Sequence, residues 1–279
     1  MSRISSSWEL VKASWQVLLA DKELAVFPII SFFASMVVVA TFILPMIFAG
    51  AFDAIFAGGS QVLGFIVAFV FYIFLYFVTF FFNSALVGAA MIRLEGGDPT
   101  IGDGLRIALQ HVSSIFGYAV IAATVGVILR AIAERFGTLG RIVISFVGFA
   151  WNVATFLVVP VLVIEKVGPI DSVKRSAELL KKTWGEQIVG NFSIGLIFGL
   201  LFFAVILGGG LLIAAAFMVD LIWLGVALIL LDIMVLIVLG VISSSLNGIF
   251  AAAVYQFATT GESKYFDPEM VKNTFKKKK

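Results

Sequence analysis

The sequence predicts an all-α, polytopic membrane protein: six transmembrane helices in three repeats, each an interfacial amphipathic helix followed by a helical hairpin. Three observations predict it. First, the chain is 61% hydrophobic and 13% charged, with a mean hydropathy of +1.12, whereas soluble domains carry about 45–50% apolar and about 25% charged residues. A core of 279 residues cannot hide that excess, so lipid must solvate most of the surface. Second, the apolar residues fall into six long stretches. Third, 16 of the 19 basic residues lie on one set of alternate connections.

The apolar stretches run at about 24–52, 60–92, 114–134, 140–164, 188–218 and 221–258. Spanning needs about 20 apolar residues, so several must tilt, bend or project beyond the lipid. Pro45 is expected to bend or end the first, because proline removes a backbone donor inside a helix. Short turns are expected at Gly58-Gly59-Ser60, at Arg135 to Gly140 and near Asp220, and a bend or early end at Gly208-Gly209-Gly210. The first 23 residues scatter their charges and do not read as a signal peptide.

Orientation follows from lysine and arginine. The N-terminus, segments 93–113 and 165–187 and the C-terminus hold the 16, leaving Arg130, Arg135 and Arg141 on the other side. That asymmetry predicts a protein of the cell membrane with both termini cytoplasmic. The bilayer is its expected partner, and the tail Lys276 to Lys279 is expected to meet anionic headgroups. A net charge of +2 gives no case for nucleic acid.

The basic segments carry helical stripes: Ile4, Trp8, Val11, Trp15 and Leu18; Ile101, Leu105, Ala108, Val112 and Phe116; Ile170, Val173, Ala177, Leu180 and Trp184. Steps of three and four place each set on one helix face, too short and too charged to span, so these helices should lie in the membrane interface. The same passages align with one another. Trp8-x-Leu10-x-x-Ala13 matches Asp103-x-Leu105-x-x-Ala108 and Asp171-x-Val173-x-x-Ser176. The second span of each pair carries one asparagine, Asn83, Asn152 or Asn247. The chain therefore reads as one membrane domain, with repeats at 1–92, 93–164 and 165–261 and a basic tail at 262–279.

The chemical inventory is thin. There is no cysteine, hence no disulfide and no thiolate ligand or nucleophile. His111 has no accompanying cluster of metal ligands, so it reads as a surface or interface histidine. No acid–base pair or nucleophile–base constellation is present, so neither catalysis nor a cofactor is expected. Asp232, between Leu231 and Ile233, is the sharpest polar residue, since a carboxylate at a helix centre costs roughly 2.5–3.5 kcal/mol to insert. It reads as a proton or cation site, as a partner of Arg130, or as a residue near the outer interface. Asn83, Asn152 and Asn247 read either as interhelical glue or as a polar layer lining a pathway, and Asn191 as glue. Ser84-x-x-x-Gly88 and Gly195-x-x-x-Gly199 read as close-packing contacts. Glu165 is either solvated beside Lys166 or paired with a basic interfacial helix.

Ser7 to Trp15, Asn83-Ser84-Ala85-Leu86, Pro160 to Glu165, Ser176 to Glu186 and Tyr255 to Gly261 together resemble the integral membrane proteins grouped as domain of unknown function 6159. The layout is also similar to the membrane domain attached to some glycerophosphodiester phosphodiesterases, without their soluble catalytic domain. The resemblance implies six spans with interfacial helices, and no substrate. Three function classes follow: a transporter-like or cavity-forming protein, a membrane-organising scaffold that binds lipid or partner helices, and, third, a lipid enzyme. The repeats, the asparagines and Asp232 favour the first.

Overall fold

The computed structural model describes residues 3–48, 61–184 and 193–261, all of it helix and short connection. In chain order the helices are α1 (Arg3–Ala20), α2 (Val26–Phe48), α3 (Gln61–Leu94), α4 (Ile101–Gln110), α5 (Val112–Arg135), α6 (Gly137–Ala154), α7 (Val158–Ile164), α8 (Pro169–Trp184), α9 (Ser193–Met218) and α10 (Ile222–Thr260). A 3₁₀ turn, Lys22–Ala25, leads into α2. Six stretches are long and apolar enough to cross a membrane, 22–48, 62–94, 112–135, 140–164, 197–218 and 222–260. The expected turn at Gly58-Gly59-Ser60, Asn191 and the basic tail lie outside the described residues.

Neither of two expected early helix ends occurs. Helix α2 runs through Pro45 to Phe48, and α9 runs through Gly208-Gly209-Gly210 to Met218. Neighbouring helices and local adjustment let proline and glycine sit inside spans. The interruption falls instead in the fourth span, between α6 and α7. Pro160 has no N–H to donate, and its ring clashes with the carbonyl four residues back, at Phe156. The chain tightens there: Phe156 N–H donates to Val153 O at 3.1 Å and Val158 N–H to Thr155 O at 3.1 Å, both three residues back. At the turn before α10, Asp220 takes φ +59°, the left-handed region that Asp tolerates better than most residues.

Packing is concentrated at one end of the bundle, where Leu86, Ile115, Leu157, Leu162, Leu246 and Ile249 are fully buried. Toward the other end α9 and α10 expose Leu200, Phe203, Leu211 and Leu230, as helices surrounded by lipid do. Lipid is as apolar as leucine, so the spans associate by close contact between small residues rather than by excluding water. Gly104 of α4 sits where a Cβ would lie 2.7 Å from Ala85 O of α3, and one on Gly88 would lie 2.8 Å from Ile107. Ser84-x-x-x-Gly88 is thus a packing contact. Gly195 and Gly199 face open space, against expectation.

The three amphipathic helices dock on the bundle rather than presenting their large apolar stripes to lipid. The deepest rows combine stripe residues, Val11 and Leu18 in α1, Ala108 in α4 and Leu180 in α8, with residues one step around, Ala13, Ser14 and Val17, then Gly104, then Ser172, Ser176 and Leu179. Trp15 stays 37% exposed, and Val112, Phe116 and Ile170 are exposed as well. Close approach of helix backbones selects small residues for the contact row, which explains why Ala13, Ser14, Gly104, Ser172 and Ser176 join it. The side chains of Ile4, Trp8 and Trp184 lie outside the described ones.

Candidate functional site

A layer of ion pairs and caps lies at the packed end. Arg93, at the end of α3, donates to Ala20 O at 3.1 Å and to Gly97 O and Asp98 Oδ1 at 3.2 Å. Glu23 accepts the N–H of Ile101 at 2.9 Å and so caps α4, beside a capping box formed by Thr100 and Asp103. Thr100 holds the Asp103 carboxyl below its ordinary range, through its hydroxyl and its backbone N–H. Asp21 accepts Glu23 N–H at 3.2 Å, and burial pushes its carboxyl up against the opposing pull of that bond and of Arg93. Across the layer Arg175 of α8 meets both carboxylate oxygens of Glu165, at 3.1 and 3.0 Å, and Tyr255 of α10 donates to the same group at 3.3 Å. Glu165 is therefore the partner of a basic amphipathic helix.

One serine of that helix controls the break in the fourth span. Ser176 is fully buried. Its hydroxyl accepts Leu157 N–H at 3.0 Å and donates to Ala154 O at 2.7 Å. These are backbone groups that the tightened turn leaves without helical partners, and non-helical backbone at membrane depth persists only where protein or water satisfies it.

Phe156, at the same break, lines a cavity of about 370 Å³ between α2, α3 and α10. Its polar lining is Ser31 of α2, Thr79 and Asn83 of α3, and Ser244 and Asn247 of α10. No lining residue carries a formal charge. Asn247 Nδ2 donates to Ser243 O at 2.8 Å, and Thr79 Oγ1 to Leu75 O at 2.8 Å. Among the described residues, Asn83, Ser31 and Ser244 have no hydrogen-bond partner. Gly248 keeps the wall thin, since a Cβ there would overlap Leu86 Cδ2 and lie 3.3 Å from Asn83 Oδ1.

The cavity's depth follows from four counts along the helices. From Arg93 to Asn83 is ten residues, from Tyr255 to Asn247 eight, from Glu165 to Phe156 nine, and from Lys22 to Ser31 nine. At about 1.5 Å per residue these counts place Asn83, Asn247, Phe156 and Ser31 roughly 12–15 Å inside the charged layer, while Ala251, four residues from Tyr255, brings the lining to about 6 Å of it.

Two of the four expected polar residues thus share a site. Asn83 and Asn247 line the cavity; Asn152 is exposed on α6 and does not. Asp232 stands twelve residues from Ser244, about 18 Å along α10. It is half-buried against α9, where a Cβ on Gly209 would overlap its carboxylate. Gly209 is therefore the seat of Asp232. Arg130 bonds Glu134 Oε1 at 2.9 Å, so the expected Asp232–Arg130 pair is absent. His111, expected at a surface, is buried at the junction of α4 and α5 and donates from Nδ1 to Ile107 O at 2.8 Å. Among the described residues no three His, Cys, Asp or Glu converge on a metal site. Sequence reasoning missed Ser31, Thr79 and Ser244, and the only available signal was a hydroxyl inside an apolar run.

Six helices long and apolar enough to cross a membrane, with three amphipathic helices docked on them, define a multi-pass integral membrane protein. The chain belongs to a family of unknown function, DUF6159, whose model matches residues 62–265. The match leaves the first span and the Ser7 to Trp15 run outside it. No curated protein and no solved structure matches the chain.

Proposed function

We propose that this protein is a non-enzymatic, transporter-like membrane protein that takes a ligand into the cavity between its first, second and sixth spans. The observation that carries the reading is the set of cavity-facing polar side chains, Asn83, Ser31 and Ser244, without a protein partner among the described residues. Asn83 and Ser31 are half-buried and Ser244 is exposed, so their donors and acceptors face the cavity and stay open to a ligand. The interrupted fourth span beside the cavity supports the same reading, because broken helices in transporters line substrate sites. On this proposal the protein resides in the cell membrane with its basic end and both termini cytoplasmic. The small buried residues Ala13, Ala108 and Ser176, at aligned positions, support an origin in three repeated units.

A scaffold role is the second reading, favoured by the exposed Lys174, Lys181 and Lys182 of α8, which suit anionic headgroups. Thiol accessibility separates the two, because the native chain has no cysteine. Single cysteines replacing Asn83 and Asn247 should react with small polar thiol reagents in native membranes, while Leu86→Cys should not. Equal inertness at all three positions would remove the cavity reading and leave the scaffold.

A further inference from the structure

We propose that the cavity receives the head group of an uncharged, hydroxyl-bearing lipid of about glycerol size, entering sideways from the bilayer. The inference rests on the cavity reading above and names its ligand.

Charge is the first constraint. No Lys, Arg, His, Asp or Glu lines the cavity, and its asparagines lie roughly 12–15 Å inside the charged layer. A phosphate or ammonium group brought to that depth would lose its hydration and gain no counter-charge. The lining supplies carboxamides and hydroxyls, each able to donate and to accept. A ligand with hydroxyl and ester groups matches both roles.

Size and access give the rest. At about 370 Å³ the cavity is near the lower end of the roughly 300–1,000 Å³ typical of ligand sites, enough for a small head group without its acyl chains. Thr79 and Ser244 line the cavity and are themselves exposed, so it opens on the flank of the bundle. Beside it on α2, Ile29, Phe32 and Phe33 are 40%, 37% and 60% exposed, an apolar margin that suits acyl chains. A water-soluble polyol carries the same chemistry but has no use for that margin.

The test uses the full chain in phosphatidylcholine nanodiscs, with Thr79→Cys as reporter. The Thr79 hydroxyl bonds only its own helix, so the substitution removes no contact between helices. Labelling by a small thiol reagent is timed with dioleoylglycerol, dioleoylphosphatidate or free glycerol added. Dioleoylglycerol alone should slow labelling in a saturable way. In the Thr79→Cys background, Asn83→Leu should weaken that protection roughly tenfold, the loss of one or two hydrogen bonds. Asn247→Ala serves if the Asn83 variant fails to fold, with Asn152→Leu as the variant expected to change nothing. Brisk labelling that dioleoylglycerol leaves untouched overturns the lipid proposal while the cavity survives. Protection by glycerol alone, or equally by phosphatidate, also overturns it. No labelling in any condition removes the cavity reading itself, and the lipid with it.

Discussion

Replacing Ser176 with alanine removes one oxygen and orphans two backbone groups. The Leu157 N–H is wholly buried, so no water replaces the 3.0 Å bond; the Ala154 carbonyl, half-buried, loses its 2.7 Å bond. An unsatisfied buried donor or acceptor costs about 1–3 kcal/mol, which puts the variant about 2–4 kcal/mol below the parent. Ser172→Ala is the matched control, because that hydroxyl only bonds its own helix at Gly168 O, 2.8 Å away, and its loss should cost about 1 kcal/mol or less. Both numbers are read from reversible unfolding in mixed micelles. A Ser176→Ala variant within about 0.5 kcal/mol of the parent, or no worse than Ser172→Ala, would refute the view that α8 holds the fourth span in its broken form.

Three further outcomes are expected. Gly209→Ala forces a methyl onto the Asp232 carboxylate and should destabilise by about 1–3 kcal/mol; Asp232→Ala in the same chain should recover most of it, and additive losses would count against their contact. Reporter fusions at the C-terminus and within 165–187 should both read cytoplasmic, and opposite readings would break the six-span count. Asp103 has its carboxyl held below the ordinary value, so its stabilising contribution is complete above the unfolded-state value near 3.8 and fades as pH falls through the lower folded one. Acid unfolding of Asp103→Asn should accordingly be less steep below pH about 4 than that of the parent, and parallel curves would contradict the cap.

The spans and amphipathic helices were legible because each depends on a long-range average, of hydropathy or of period, that no single residue decides. The contacts between them were not. The period-3.6 stripes located α1, α4 and α8 and caught Val11, Leu18, Ala108 and Leu180 of the docked rows, but not Ala13, Ser172 and Ser176, chosen for closeness rather than hydrophobicity. Pro160, read from the sequence together with Glu165 as closing the fourth span, instead follows an interruption that rests on a serine 16 residues further on. Asn152 was grouped with Asn83 and Asn247 by alignment, whereas the structure places it on an exposed face of α6, ahead of the tightened turn. Asp232 was recognised as costly, but the glycine that accommodates it was read as a bend.

The account stands or falls on whether Asn83 serves the cavity or the fold. Interhelical amide bonds in membranes are worth about 0.6–2 kcal/mol, so an asparagine acting as glue loses that much on replacement by leucine. Among the described residues Asn83 has no protein hydrogen bond to lose. The decisive measurement is the unfolding free energy of Asn83→Leu against the parent, in the same micelles and with no ligand added. Stability equal to or above the parent's is predicted; a loss of about 1 kcal/mol or more would contradict the cavity and return Asn83 to the packing between helices.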